Sequence, residues 1–139
     1  MFTADRPRLP APPEPVAGRV AVVGVCGAGK STLVDRLLAL GYDARQSSQE
    51  HSYVPDMWQR LARPQVLVYL DASREAVEQR LQKEVGQVYW REQCRRLEHA
   101  RQHCHIYVDT TSLSGQEVLD RVLQGLERLG IRPIACRHG

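Results

Sequence analysis

Lysine is nearly missing from this 139-residue chain: of its 19 basic residues only Lys30 and Lys83 are lysines. No apolar run approaches the roughly 20 residues that a membrane-crossing helix needs, which argues against a helical span. The N-terminus is rich in proline where an exported precursor would carry an apolar core, so export is not expected. Cys26, Cys94, Cys104 and Cys136 show no C-x-x-C spacing, and reduced thiols in the cytoplasm are the expected state. No Asn-Lys-x-Asp sequence is present to read guanine, which argues against a regulatory GTPase. No internal repeat occurs. The formal charge of +3 is too small and too dispersed to point to nucleic acid, though it suits an Arg-lined pocket for phosphorylated ligands. A hydrophobic content of 42% and a charged content of 25% fit one soluble globular domain.

Against that background one segment stands out. Gly24-Val25-Cys26-Gly27-Ala28-Gly29-Lys30-Ser31-Thr32 fits G-x-x-x-x-G-K-[ST] at every fixed position. It follows the apolar run Arg19–Val23 and opens onto a helical pattern, Leu33–Leu38, which is the strand–loop–helix setting that the motif requires. Its three glycines let the backbone curl until successive N–H groups point into one hollow, where they meet phosphate oxygens. A helix beginning near Lys30 adds the positive end of its dipole. Lys30 supplies a mobile charge for the β- and γ-phosphates, and the Ser31 hydroxyl is placed for Mg²⁺. Lysine here runs against the composition of the chain. The expectation is a binder of Mg²⁺·ATP, with Gly24, Gly27, Ala28, Gly29, Lys30, Ser31 and Thr32 around the nucleotide.

The rest of the chain alternates between the two periodicities. Residues 1–18, with five prolines, predict a mobile, partly extended tail. A strand is expected at about 19–25 and a helix at 30–40 with Gly41 just beyond its end. A weak strand signal lies within 42–48, and Pro55 opens a short helix. Gln65–Asp71 is a nearly continuous apolar run, as in strands buried on both faces. Ser73 caps a helix over 73–85, which Gly86 interrupts. A second helix follows over 88–103, with Trp90, Cys94, Leu97 and Cys104 on one stripe. Ile106–Asp109 reads as a strand. Ser114 and Glu117 have capping-box spacing before an amphipathic helix with Val118, Val122, Leu126 and Leu129 on one side. Alternation of this kind predicts an α/β fold, three-layered, with a parallel sheet of four to five strands. The domain is expected over 19–130, followed by a tail over 131–139.

Taken together, Gly24–Thr32, the strand ending Val68–Ser73 and the late Tyr107–Thr111 resemble the small phosphate-loop kinases, the group of nucleoside monophosphate, shikimate and gluconate kinases. The resemblance spans most of residues 19–130 and implies the P-loop NTPase fold. It also implies an arginine-bearing lid over about 74–103, where Arg80, Arg91, Arg95, Arg96 and Arg101 occur; Arg91 and Arg95 lie one helical turn apart and are the chosen pair. The chain departs from the family between residues 42 and 64. There the monophosphate kinases hold acceptor-binding helices and a strand with an aspartate-glycine signature, which this sequence lacks.

That interval instead carries Arg45–Tyr53, a polar run. Glu50 is expected to organise Mg²⁺ or to accept a hydroxyl proton, with Arg45, Gln49 and His51 around an acceptor. Asp71, after four apolar residues, is a second candidate for the metal, set against a role in capping the next helix; Asp109 is a weaker one. His99 and His103 have chelating spacing but no general base between them, and read as exposed helix histidines. The expected function is transfer of the γ-phosphoryl group of ATP to a small acceptor, a nucleotide or a hydroxyl metabolite. The rival is a nucleotide-binding switch or simple NTPase without transfer. No membrane or nucleic-acid partner is expected, and the place of action is expected to be the cytoplasm.

Overall fold

Valine and leucine crowd two stretches of this chain, and both become strands. The computed structural model describes residues 9–134. In chain order it contains β1 (Val16–Gly24), α1 (Lys30–Ala39), β2 (Asp43–Gln46), a 3-10 turn (Gln49–His51), α2 (Met57–Ala62), β3 (Pro64–Asp71), α3 (Arg74–Leu81), α4 (Gln87–His103), β4 (Ile106–Asp109) and α5 (Gly115–Arg128). The beginning of the expected N-terminal tail, residues 1–8, and the end of the C-terminal one, residues 135–139, lie outside the described residues.

The sheet has four strands in the order β2-β1-β3-β4, all parallel. Val20–Val23 of β1 and Leu67, Val68 and Leu70 of β3 are shielded from solvent, because a parallel sheet covered on both faces leaves no polar side to alternate with. β1 starts at Val16, earlier than the expected 19: Val16 pairs with Pro64 before an irregularity in register, and its N–H donates to Arg63 O. α1 and α5 pack on each other. α4 packs on β1, β3 and the 3-10 turn, and α2 on β1. These contacts are compatible with a three-layer α/β/α arrangement.

The helix ends follow their local chemistry. Ser73 Oγ accepts from Ala76 N, and Ser114 and Glu117 form the reciprocal capping box. α3 stops at Leu81, short of the expected 85, because Gln82 turns into the left-handed region and Glu78 Oε2 takes the Val85 N–H. On α5 the buried stripe is Val118, Leu119, Val122 and Leu126; Leu129 is the exposed C-cap. The carboxyl ends of the strands share one edge of the sheet. There β1 sends the chain toward β2 on one side and has β3 on the other, which opens a crevice above β1.

Candidate functional site

Gly24 ends β1 opposite Leu70, so close that a Cβ would lie 2.2 Å from Leu70 O. Only glycine lets the strands stay paired there. The chain then turns, with Ala28 N donating to Val25 O at 3.1 Å. Gly29 follows with φ of 102°, a left-handed backbone that side chains resist, and serves as N-cap of α1. No side chain caps this helix. Its first N–H groups therefore have no acceptor within the helix, and the dipole makes their surroundings attractive to anions. Ser31 and Thr32 in this first turn are exposed.

Lys30 does not reach outward. Its ammonium folds back to donate to Gly24 O at 2.7 Å, Val25 O at 3.1 Å and Glu50 Oε2 at 2.7 Å, which engages all three of its protons. Residue exposures of 5% for Lys30 and 3% for Glu50 make this a core ion pair. β2 delivers the carboxylate: Gln46 pairs with Val22, Ser47 N donates to Val22 O, and the 3-10 turn then aims Glu50 under the loop. Glu50 Oε1 is buried and has no hydrogen-bond partner. His51 Nε2 stands 3.8 Å from Oε2, and Arg96 Nη1 donates to Glu50 O at 3.3 Å.

A cleft of about 330 Å³ opens beside the loop, lined among others by Gly29, Thr32, Arg36, Arg80, Thr110 and Leu113. Among the described residues its charged lining is the two arginines. Arg80 Nη1 donates to Gly27 O at 3.1 Å and to Thr110 Oγ1 at 3.0 Å, and Nη2 to Thr110 O. Thr110 is buried, and its Oγ1 lies 3.0 Å from both Ala28 O and Asp71 O. The end of β4, the end of β3 and the loop are thus tied through one threonine.

A second cavity, of about 720 Å³, lies along the end of β2 and α2. Arg45, Ser47, Ser48 and His51 give its lining a polar part; Met57 and Leu61 give it an apolar part. Arg45 and His51 line this cavity. Gln49 does not: it is fully buried, with Oε1 accepting from Trp58 N and Nε2 donating to Val54 O and Arg96 O. Its amide holds the 3-10 turn to α2 and α4 and cannot turn to a ligand without breaking all three bonds.

No protein-family model and no curated protein matches this chain.

The remaining candidates are spread around this centre. Both oxygens of Asp71 are taken, Oδ1 by Ala72 N and Oδ2 by the Tyr107 hydroxyl. Burial, followed by that bond to Asp71, raises the Tyr107 hydroxyl to about 12. Asp109 accepts from Thr111 N and Oγ1, which hold its carboxyl below the usual range. Arg91 and Arg95 are exposed on α4; Arg95 pairs with Glu92, and neither lines the cleft beside the loop. His99 is half-buried rather than exposed: its Nδ1 accepts from Trp58 Nε1 at 3.1 Å, and its ring stacks on His103 at 4.1 Å. Among the described residues no group of three His, Cys, Asp or Glu is arranged to hold a metal.

Sequence reasoning missed Thr110 and Gln93. Gln93 is 1% exposed, and its Oε1 accepts the loop's Cys26 N–H at 3.0 Å. A signal existed: Gln93, Leu97 and Ala100 are buried in the i, i+4, i+7 pattern of a core stripe, with one polar member. Thr110 left no such signal, since its partners come from distant segments.

Proposed function

We propose that the chain binds Mg²⁺·ATP at Gly24–Thr32 and transfers the γ-phosphoryl group to a small hydroxyl-bearing acceptor held in the cavity beside β2 and α2. The observation that carries this reading is the convergence of Lys30 and Glu50 beneath an uncapped helix N-terminus at the carboxyl edge of a parallel sheet. Phosphoryl transfer asks little covalent chemistry of a protein and much positioned charge, which is what this edge supplies. The nucleoside fits the neighbouring cleft, where the Arg80 guanidinium offers a flat cationic face. Ser31 and the free Oε1 of Glu50 suit a hard cation, whereas Asp71 has no oxygen to spare. Mg²⁺, when bound, would neutralise charge on the phosphates. Glu50 then organises that metal or accepts the proton of the acceptor hydroxyl. In the acceptor cavity, Arg45 and His51 suit an anionic substituent, and Met57 and Leu61 an apolar body.

A second reading, an ATP-dependent switch without transfer, is favoured by the short chain between β2 and β3, which holds only a 3-10 turn and the six-residue α2. One experiment separates the two. ADP release from Mg²⁺·ATP is measured with nucleoside monophosphates, nucleosides, sugars and hydroxy acids, using Lys30→Ala and Glu50→Gln as controls. Acceptor-dependent release that Glu50→Gln loses while still binding ATP supports transfer. Binding with no release above the Lys30→Ala background under any acceptor supports the switch.

A further inference from the structure

The sheet ends on two unlike edges. β2, on one side, presents Asp43 and Arg45, charged residues of the kind that discourage a further strand. β4, on the other, is Ile106-Tyr107-Val108-Asp109, and among the described residues it pairs with β3 alone. Its inner side is marked by the His105 N–H, which donates to Leu67 O at 2.8 Å. Alternation along the strand then turns the N–H and C=O groups of Ile106 and Val108 away from β3, toward the open side. A groove of about 410 Å³ is lined by this part of β4 and, from α5, by Arg121, Gly125 and Arg128. Gly125 lets α5 come close, since a Cβ there would lie 2.7 Å from Ile106 Cδ1. Among the described residues no carboxylate lines the groove. Arg121 and Arg128 are exposed and two helical turns apart, and among the described residues neither makes a salt bridge. Arg121 feels Glu117, but that carboxylate already caps α5. Ile106 faces α5, so Tyr107 lies on the opposite face of the strand. There its ring stacks on Tyr69 at 5.8 Å, and Arg101 of α4 stands 5.7 Å from its centroid.

From this arrangement we infer that the β4 edge docks an extended acidic segment of another protein, which adds a fifth strand to the sheet. The backbone groups of Ile106 and Val108 supply the ladder, and Arg121 and Arg128 select by charge. Alternate residues of such a strand face α5 and carry the carboxylates; those between them lie beside Tyr107 and are apolar. Two other occupants fit the charges less well. A second copy paired edge to edge sets α5 beside α5, with Arg121 and Arg128 of each facing those of the other. The ends of this chain outside the described residues, 1–8 and 135–139, hold one acidic side chain, Asp5, against Arg6, Arg8 and Arg137. The edge lies two strands away from β1 and its loop, so the inference does not depend on nucleotide binding.

The test uses the full chain and, as probe, a capped peptide of about eight residues that alternates glutamate with valine. Binding is measured by fluorescence anisotropy at low and raised salt, and amide hydrogen exchange locates it. A docking edge predicts binding that weakens with salt, slower exchange at Ile106 and Val108, and no change along β2. The double variant Arg121→Glu/Arg128→Glu, at two exposed positions, should bind about tenfold more weakly or worse. The same peptide with proline at its centre keeps the charge, loses a ladder N–H and should bind less well than the parent. No binding by the glutamate–valine peptide overturns the inference, as does an affinity that the double variant leaves unchanged. Equal binding of the proline peptide, or of a single-stranded oligonucleotide of the same charge, makes the surface a general polyanion patch and overturns it too. Protection of Ile106 and Val108 that grows with protein concentration and needs no peptide assigns the edge to a second copy, and the acidic partner falls.

Discussion

Lys30 Nζ and Glu50 Oε2 lie 2.7 Å apart, with both side chains only 4% exposed, so each charge depends on the other to remain in the core. Among the described residues the other ionisable partner of this pair is the half-exposed His51, whose Nε2 is 3.8 Å from Glu50 Oε2.

Lys30→Met should therefore cost about 3–5 kcal/mol of folding free energy, because Glu50 is left buried and alone. The double variant Lys30→Met/Glu50→Gln removes the orphaned charge and should recover much of the loss. Urea unfolding of the four chains forms the thermodynamic cycle. Simple additivity of the two single losses would show that the residues do not act as a pair.

Gly24→Ala is expected to be among the most damaging single-methyl changes in the chain. The new Cβ meets a backbone oxygen, Leu70 O, at 2.2 Å, and no side chain can move aside to admit it. The central strand pair must separate locally, at about 3 kcal/mol or more. Thermal unfolding measures this; a midpoint within a degree of wild type would mean that β1 and β3 do not approach as closely as described.

Thr110→Val keeps the shape of a buried side chain and deletes the oxygen shared by Arg80, the loop and β3. A loss of about 1–3 kcal/mol is expected from partners left without a bond. Thr110→Ser, which restores the hydroxyl, should lie nearer to wild type. A Thr110→Val protein as stable as wild type would show that the shared hydroxyl contributes nothing to stability.

Acid should weaken the contact between α2 and α4. Burial, and then the neighbouring His103, hold His99 below its ordinary 6.5, while Asp56 acts in the other direction. The folded chain thus binds this proton less well than the unfolded chain, so the contribution is present at neutral pH and is lost as pH falls through 6.5 and below. Protonation also removes the lone pair that Trp58 Nε1 uses. Between pH 7 and pH 5 the unfolding midpoint should fall and Trp58 emission should change. His99→Gln, which has no titrating ring, should show a shallower slope; an identical slope in both proteins would clear His99 of the effect.

Much of the frame could be read from the residues, where the cause is local. The continuous apolar runs ending at Gly24 and Asp71 announce strands covered on both faces, and Ser73 and Ser114 name their helix starts through bonds to residues three positions on. β2 was faint because only Ala44 of its four residues is buried, so the period of two has almost nothing to act on. The site was legible to the same extent. Lys30 and Glu50 could be singled out by type and setting, but their direct pairing joins residues 20 apart. Gln93 to Cys26 and Thr110 to Ala28 span 67 and 82 residues, and such contacts exist only once the sheet has ordered the chain.

The register of the central pair carries a further consequence. Val20 is aligned with Val66, and Gly24 with Leu70, so the strand that presents the glycine-rich loop has no completed neighbour on that side until β3 has been made as far as Asp71. A nascent chain that has emerged only as far as α2 holds every residue of the loop motif and still lacks the wall against which Gly24 is set. Local helices can form in that interval, but the loop-closure entropy of joining β1 to β3 is met in a single late event. The folding rate should therefore respond to changes in the β1–β3 interface much more than to changes in α1, and truncation before β3 should yield the motif without its shape.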